Sequence, residues 1–195
     1  MSEPRIYEPP TIYDLSNIYA TAGGGGGAFD PINEYEPAEM PDGRIWTTKN
    51  LYTILYNTKF GNANSNSDRY TSFVTGTPNQ SNIRSGGLAY NFLEVQNFVN
   101  NKNILFPGWN IPTKTEMENL VNSFGGNLDN NVFKLQKSAV YVNGSVSTGS
   151  TQIWTRTEYD SSNAYALYWQ LGLIPNLVRG EYKSSLFYIR LIKDV

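Results

Sequence analysis

Apolar and polar residues alternate most clearly between Ile153 and Trp169, where two strand-like runs flank a short polar segment. Ile153–Glu158 and Ala164–Trp169 are rich in β-branched and aromatic residues, which fit the pleated surface of a half-buried sheet. Asp160–Asn163 lies between them, and its Asp, Ser and Asn side chains hydrogen-bond their own backbone in tight turns. The pattern predicts a β-hairpin.

A second alternating run closes the chain. Leu186–Ile192 predicts a terminal strand, because successive side chains of a strand point to opposite faces. The alternation divides its residues into two sets: Phe187, Ile189 and Leu191 on one face, Tyr188 and Arg190 on the other. Other runs predict four further strands, at Arg44–Tyr56, Tyr70–Val74, Val132–Leu135 and Ala139–Val142.

Two segments instead show helical spacing. The first helix is predicted over Leu88–Val99, with apolar residues at i, i+4, i+7 and i+11 on the buried face and Glu94 toward solvent. The second follows Trp109, a predicted core anchor. It begins at the capping box Thr113–Glu116 and ends at Gly125-Gly126. Two helices among short antiparallel strands predict an α+β domain over residues 42–195.

Residues 1–41 have a different character and predict an extended arm. Five consecutive glycines, Gly23–Gly27, form a flexible hinge. Before the hinge, prolines alternate with six spaced apolar residues: Ile6, Tyr7, Ile12, Tyr13, Ile18 and Tyr19. Disordered tails are normally poor in such residues, so we expect the arm to dock on a partner. The alternative is an arm packed on its own domain.

Charge is unevenly distributed. The chain carries a net charge of −2, yet residues 1–42 hold eight acids and one base, which gives −7 there and +5 in the remainder. Phosphate contacts need Lys and Arg, so nucleic acid is not the expected partner of the arm.

Composition excludes several kinds of chemistry. The chain has no cysteine and no histidine, which rules out disulfides, Cys- or His-ligated zinc, and Cys-His or Ser-His-Asp catalysis. No apolar run approaches the ~18–20 residues of a membrane span, so membrane insertion is not expected. The N-terminus also lacks the basic-then-apolar pattern of a signal peptide.

Carboxylates are the remaining catalytic option. Glu116 and Glu118 open the second helix, and Glu158 and Asp160 flank the hairpin turn, but capping already explains Glu116 and the turn explains Asp160. We therefore expect no catalytic residue. The oxygen-rich segments 127–131 and 160–163 are too sparse for calcium, which takes six to eight ligands. Ordinary turns, with no metal and no cofactor, are expected at both.

Four segments occur in an order that resembles a known family: DGRIWTTKNL from Asp42, PGWNIPTKTEMENL from Pro107, IWTRTEYDSSNAYALYW from Ile153 and FYIRLIKD from Phe187. Together they resemble the Fibrobacter succinogenes major paralogous domain, related to C-type-lectin-like and formylglycine-generating-enzyme-like folds. The resemblance implies a C-type-lectin-like domain from about Asp42 to Val195. Asn110 and Met117 depart from the usual motif, and the segment 137–152 looks shorter than usual.

The resemblance also directs attention to the loop region between the later strands, here about Leu171–Ser185. Tyr, Trp and Arg are enriched at binding hot spots, and this third of the chain contains several. Trp169, Arg179 and Tyr182 are the predicted ligand-binding residues.

These features favour a non-enzymatic virion protein of a tailed bacteriophage, as a fibre or decoration of head or tail. It would be assembled in the host cytoplasm. The arm would dock to other virion proteins, and the C-type-lectin-like domain would bind a host glycan or protein. A homotrimer would suit a fibre. The alternatives are a carbohydrate- or protein-binding module on a bacterial cell surface and, less favoured, a carbohydrate-active enzyme.

Overall fold

The computed structural model describes residues 31–51, 70–71, 89–129, 131–135, 138–142, 145–173, 175 and 177–194. The predicted arm residues Ile6 to Tyr19 and the Gly23–Gly27 hinge lie outside these residues. Within them the chain folds as α+β, as predicted, with two α-helices and antiparallel sheets.

The helices follow the sequence signals with shifted ends. Helix α1 is Phe92–Leu105 rather than 88–99, and Asn91 precedes it with a side-chain oxygen that accepts from Glu94 N–H (3.2 Å). Glu94 was expected to face solvent but is buried, and Phe98 is buried while Val99 lies only half-buried. Packing on the sheet, rather than the spacing of apolar residues, therefore decides which face of α1 is covered.

Helix α2, Lys114–Ser123, matches its prediction closely. Thr113 is the N-cap of a complete capping box with Glu116, and Gly125 and Gly126 adopt positive φ just past the helix end. Its apolar residues Met117, Leu120 and Val121 are buried. Trp109, 7% exposed, is the core anchor expected of it.

Ten strands lie in the described residues. Their bounds are β1 Pro37–Glu39, β2 Ile45–Thr47, β3 Tyr70–Thr71, β4 Ala89–Tyr90, β5 Trp109–Asn110, β6 Ser138–Val142, β7 Ser145–Glu158, β8 Asn163–Gln170, β9 Leu177–Tyr182 and β10 Ile192–Lys193. They form three antiparallel sheets: the first has the order β1-β2-β10-β5, the second pairs β3 with β4, and the third has the order β6-β7-β8-β9. The predicted hairpin is β7–β8.

One predicted strand is absent. Residues 132–135 form a turn, in which Asn131 Oδ1 accepts from Phe133 N–H (2.8 Å) and Lys134 adopts a φ of +52°. A short apolar run can signal burial without signalling a strand, and Phe133 and Leu135 are indeed buried.

The C-terminal run is more central than a terminal strand. Residues 186–192 are buried on both faces and exchange backbone hydrogen bonds with several elements in turn. Phe187 pairs with Tyr90, Tyr188 bridges in parallel to Ile153, and Leu191 O accepts from Thr47 N–H (2.9 Å). Within the predicted run only Ile192 belongs to a regular strand, the two-residue strand Ile192–Lys193, because the segment changes partner too often to form a continuous ladder.

The folded domain begins before the predicted boundary at Asp42. A 3₁₀-helix over Pro31–Tyr35 leads into β1, which pairs along its length with β2. Ile32, Tyr35 and Met40 are buried in the core. The boundary between arm and domain therefore moves toward the N-terminus, because these apolar side chains are part of the domain's own interior.

Aromatic contacts join the layers of the core. Trp154 of β7 lies 5.5 Å from Phe92 of α1 and 4.5 Å from Phe187, measured between ring centroids. Its indole N–H donates to Tyr90 O at 2.7 Å. The Trp154 side chain thus connects the third sheet, helix α1 and the C-terminal segment, and it packs the hairpin β7–β8 against the core.

Candidate functional site

The exposed end of the β8–β9 ladder carries a cluster of aromatic side chains that we term the tyrosine platform: Tyr159, Tyr165 and Tyr182, with Gly180 and Lys114. Tyr165 and Gly180 are directly opposite in the register of β8 and β9, so they share one face of the sheet. Tyr182 follows two residues after Gly180 and lies on the same face. The register therefore places Tyr165 and Tyr182 on the same face.

The absence of a side chain at Gly180 makes room for Tyr159. A Cβ atom added at Gly180 would lie 3.3 Å from Tyr159 Cγ, so the tyrosine ring rests directly on the strand backbone. The ring also meets Tyr165 edge-on, at 5.2 Å between centroids and 85° between planes. This packing fixes the ring orientation while leaving 59% of Tyr159 exposed.

Helix α2 supplies the cationic border of the platform. Lys114 Nζ lies 4.8 Å from the Tyr165 ring centroid and 3.2 Å from Glu118 Oε1. Lys114 N–H donates to Thr157 Oγ1 at 2.9 Å, which fastens the start of α2 to the end of β7. A cation over an aromatic face is attractive, so Lys114 both orders Tyr165 and provides hydrogen-bond donors beside it.

The hairpin turn next to the platform is rigid. Asp160 Oδ1 accepts from the N–H groups of Ser162 and Asn163, both at 2.7 Å, and the Asn163 side-chain amide donates to the same carboxylate. These bonds, first that from the Asn163 side chain, lower the pKa of Asp160. The turn was predicted from its composition, and these bonds are the reason it forms.

The three predicted ligand-binding residues do not meet. Trp169 is buried, 2% exposed, and its indole N–H donates to Asp129 Oδ1 at 2.8 Å, so it is part of the core and cannot stack on a ligand. Arg179 and Tyr182 have opposite parity on β9 and point to opposite faces. Only Tyr182, 50% exposed, belongs to the platform.

Arg179 has partners on its own face. Its guanidinium lies 4.0 Å from the Tyr168 ring centroid, and Nε lies 2.7 Å from Glu181 Oε1. Tyr159, Gly180 and Lys114 were not among the predicted residues. The segment Leu171–Ser185 was expected to be a loop, whereas Leu177–Tyr182 forms strand β9. A glycine within a strand is a sign of close approach by another group, but the strand itself was not predicted.

The candidate carboxylates are all engaged. Glu116 bonds Thr113 and lies 3.4 Å from Arg44, and Glu118 pairs with Lys114. Glu158 accepts from Lys183 at 2.7 Å and from Gln96 at 2.9 Å. The hydrogen bond from Lys183 is the main cause of the lowered pKa of Glu158, whereas a general acid needs a raised one.

The oxygen-rich segment after α2 serves the fold. Asn127 Oδ1 accepts from Asp129 N–H (2.8 Å), and the Asp129 carboxylate accepts from Gly172 N–H (2.9 Å) as well as from Trp169. Across the described residues, Asp and Glu form no group of three or more that could hold a metal ion. No helix in that part of the chain is long and apolar enough to cross a membrane.

Comparison with known proteins adds no relative: no family model, no curated protein and no solved structure matches this chain.

Proposed function

We propose that this protein is a non-enzymatic recognition domain that binds glycans on its tyrosine platform. The observation that carries the proposal is the pair of half-exposed rings, Tyr159 and Tyr182, beside Gly180 on one rigid sheet face. The apolar face of a pyranose ring stacks on such aromatic surfaces. Lys114 lies at the border and can donate hydrogen bonds to hydroxyl groups.

The engaged carboxylates support a binding role over a hydrolytic one. A glycosidase needs two carboxyl groups across a cleft, one of them protonated at neutral pH. Here Glu158 and Asp160 lie at the turn and have lowered pKa values. Glu158 accepts a hydrogen bond from Lys183, and Asp160 accepts one from Ser162. Of the functions that the sequence left open, a carbohydrate-active enzyme therefore has the least support.

The setting we favour is the virion of a tailed bacteriophage. The folded domain would present the tyrosine platform to a host surface glycan, and the N-terminal arm would bind other virion proteins. The alternative setting is a bacterial cell surface. Both rest on the family resemblance and on the composition of the arm. The resemblance further implies a C-type-lectin-like fold, with which two helices among antiparallel sheets agree in element content.

The test is binding to immobilised bacterial capsular polysaccharides and lipopolysaccharides by the wild-type chain and by Tyr159→Ala and Tyr182→Ala. Loss of one stacking ring should weaken binding about tenfold, which corresponds to roughly 1.4 kcal/mol. Tyr168→Ala removes a tyrosine from the opposite face and is the matched control; it should bind as the wild type does.

Two results would contradict the proposal. One is a wild-type chain that binds none of the polysaccharides in the panel. The other is equal loss of binding in all three variants while each keeps the wild-type circular dichroism spectrum, which would place the binding surface elsewhere.

A further inference from the structure

Strand β9 lies at the edge of the third sheet and pairs, within the described residues, only with β8. Lys183 N–H donates to Ser162 O (3.0 Å), so Lys183 turns its backbone groups toward β8. This direction alternates along a strand. The N–H and C=O groups of Val178, Gly180 and Tyr182 therefore point outward, to the open edge.

Within the described residues, this edge lacks three features by which monomeric proteins protect their edge strands. Such strands are commonly blunted by proline, lysine or a β-bulge. Leu177–Tyr182 contains no proline and no lysine, and its register with β8 is unbroken over six residue pairs. Its charged residues, Arg179 and Glu181, carry opposite charges. Four of its residues, Leu177, Arg179, Gly180 and Tyr182, are exposed.

The strand is complementary to itself when turned antiparallel. When two copies of the sequence LVRGEY run antiparallel with their Gly180 residues opposite each other, Arg179 of one copy lies opposite Glu181 of the other. The two-fold axis generates the same pair a second time. Val178 then lies opposite Tyr182. This register also brings together the outward-pointing residues, so that three residue pairs can form about six backbone hydrogen bonds.

We propose that two copies of this chain associate through β9, antiparallel about Gly180, to form one continuous eight-stranded sheet. The occupant of the edge is a second copy because an unrelated strand would not supply opposite charges at both positions. The Tyr182 carbonyl already accepts from Ser185 N–H (2.9 Å) and has a second lone pair for the partner strand. The proposal replaces the homotrimer as the expected assembly.

In the proposed dimer, Arg179 of each copy can bind Glu181 of the other copy as well as its own. These two residues occupy the non-hydrogen-bonded position of the new ladder, where opposing side chains come closest, at Cα separations of about 4.5 Å. The Arg179 side chain is 48% exposed while it contacts its own Glu181. It therefore has donors free to bind the carboxylate of the second copy.

The association would leave the tyrosine platform open, because the rings lie on the sheet face and not along its edge. Gly180 of each copy would adjoin that of the other, and the two Tyr159 rings that rest on them would lie side by side. The proposed dimer does not depend on glycan binding. If both proposals hold, however, the two platforms form one bivalent surface, which strengthens attachment by avidity.

A charge-swap experiment tests the proposal by sedimentation over a concentration series. The wild-type chain should sediment as a dimer, whereas Arg179→Glu and Glu181→Arg should each weaken self-association at least about tenfold, because each sets like charges opposite one another. An equimolar mixture of the two variants should recover the dimer. The mixture restores opposite charges only between copies, since each variant still carries a like-charged pair within its own strand.

Cysteine cross-linking guards against a folding defect at Glu181, which is buried. The native chain has no cysteine, so Val178→Cys and Tyr182→Cys provide single thiols. Under mild oxidation the mixed variants should form a disulfide-linked dimer and neither variant alone should do so. A monomeric wild type throughout the series, or cross-linking of either variant alone in preference to the mixture, would overturn the proposal.

Discussion

Arg190 is a buried cation whose partners are neutral. Its Nε donates to Asn50 Oδ1 (2.9 Å), and its two terminal nitrogens donate to Phe133 O and to Lys134 O. The guanidinium also lies 4.4 Å from the Phe133 ring centroid. Burial lowers the pKa of Arg190 to about 9, so the group remains charged at neutral pH. The planar fork of donors joins the C-terminal segment to the turn at residues 131–135.

Replacement of the Arg190 guanidinium by a lysine ammonium should destabilise the folded protein. We expect Arg190→Lys to lower the free energy of unfolding by about 2–4 kcal/mol, because one ammonium cannot reach three acceptors and leaves buried carbonyls unpaired. Urea denaturation measures the loss. Arg156→Lys, the same change at a half-buried side chain of β7 outside the proposed dimer edge, should stay within about 0.5 kcal/mol of the wild type. Similar losses in the two variants would contradict this account of Arg190.

At the scale of elements, the start of α2 is stabilised by a reciprocal exchange. Thr113 Oγ1 accepts from Glu116 N–H (3.2 Å), and Glu116 Oε2 accepts from Thr113 N–H (2.7 Å). Each residue satisfies a donor that the first turn of a helix would leave unpaired. Because α2 carries Lys114 to the tyrosine platform, the cap also positions part of the candidate site.

Thr113→Ala should therefore destabilise the protein by about 1 kcal/mol, measured as a shift in the urea midpoint. Thr115→Ala is the matched control, since Thr115 is exposed on the same helix. Alanine has the higher helix propensity, so this second change should be neutral or slightly stabilising. A loss at Thr115 as large as that at Thr113 would argue against a specific role for the cap.

At the scale of the whole molecule, Glu36 joins three segments that are distant in sequence. Its carboxylate lies 2.8 Å from Lys49 Nζ and 2.9 Å from Lys134 Nζ. Glu36 and Lys134 both adopt positive φ, +47° and +52°, so the ion pair links two turns of unusual backbone geometry. Hydrogen bonds from Lys49 and then Lys134 lower the pKa of Glu36 to about 2.

This shift has a consequence for acid stability. A carboxylate whose pKa is lower in the folded state stabilises the protein above its unfolded pKa, and the contribution is lost as pH falls from about 4.5 toward about 2. The Glu36 side chain is 43% exposed. Solvent therefore screens the interaction, and we expect less than about 1 kcal/mol.

Glu36→Gln should be less stable than the wild type at pH 7, and the difference should shrink as the pH approaches 2, as followed by urea denaturation at several pH values. Glu39→Gln makes the same change at the exposed end of β1 and should show no such pH-dependent difference. A constant difference between Glu36→Gln and the wild type at all pH values would exclude the carboxylate charge as its cause.

Local features of this fold were readable from the sequence because their causes are local. The hairpin turn at Asp160–Asn163, the capping box of α2 and the glycines that end this helix each depend on residues within about four positions of one another. The α+β class followed from the periods of the apolar residues. The same reasoning failed for residues 132–135 and for the ends of α1, where tertiary contacts override local preference.

The candidate site was only partly predictable. Tyr182 was identified by residue type, but type does not show whether an aromatic residue faces solvent. Trp169 was expected at the surface and is buried against Asp129, a residue 40 positions away. Gly180 and Tyr159 acquire their meaning only when β8 and β9 pair and bring the hairpin turn over the strand.

The sequence by itself determined the existence of the two helices and of the β7–β8 hairpin with its turn, and it excluded chemistry that needs cysteine or histidine. The tertiary structure decided which faces are covered, where the domain begins and which side chains meet. Arg190 and Asn50 are 140 positions apart, and Tyr188 pairs with Ile153 across a separate hairpin. Such contacts depend on how elements pack together, which no local pattern of residues specifies.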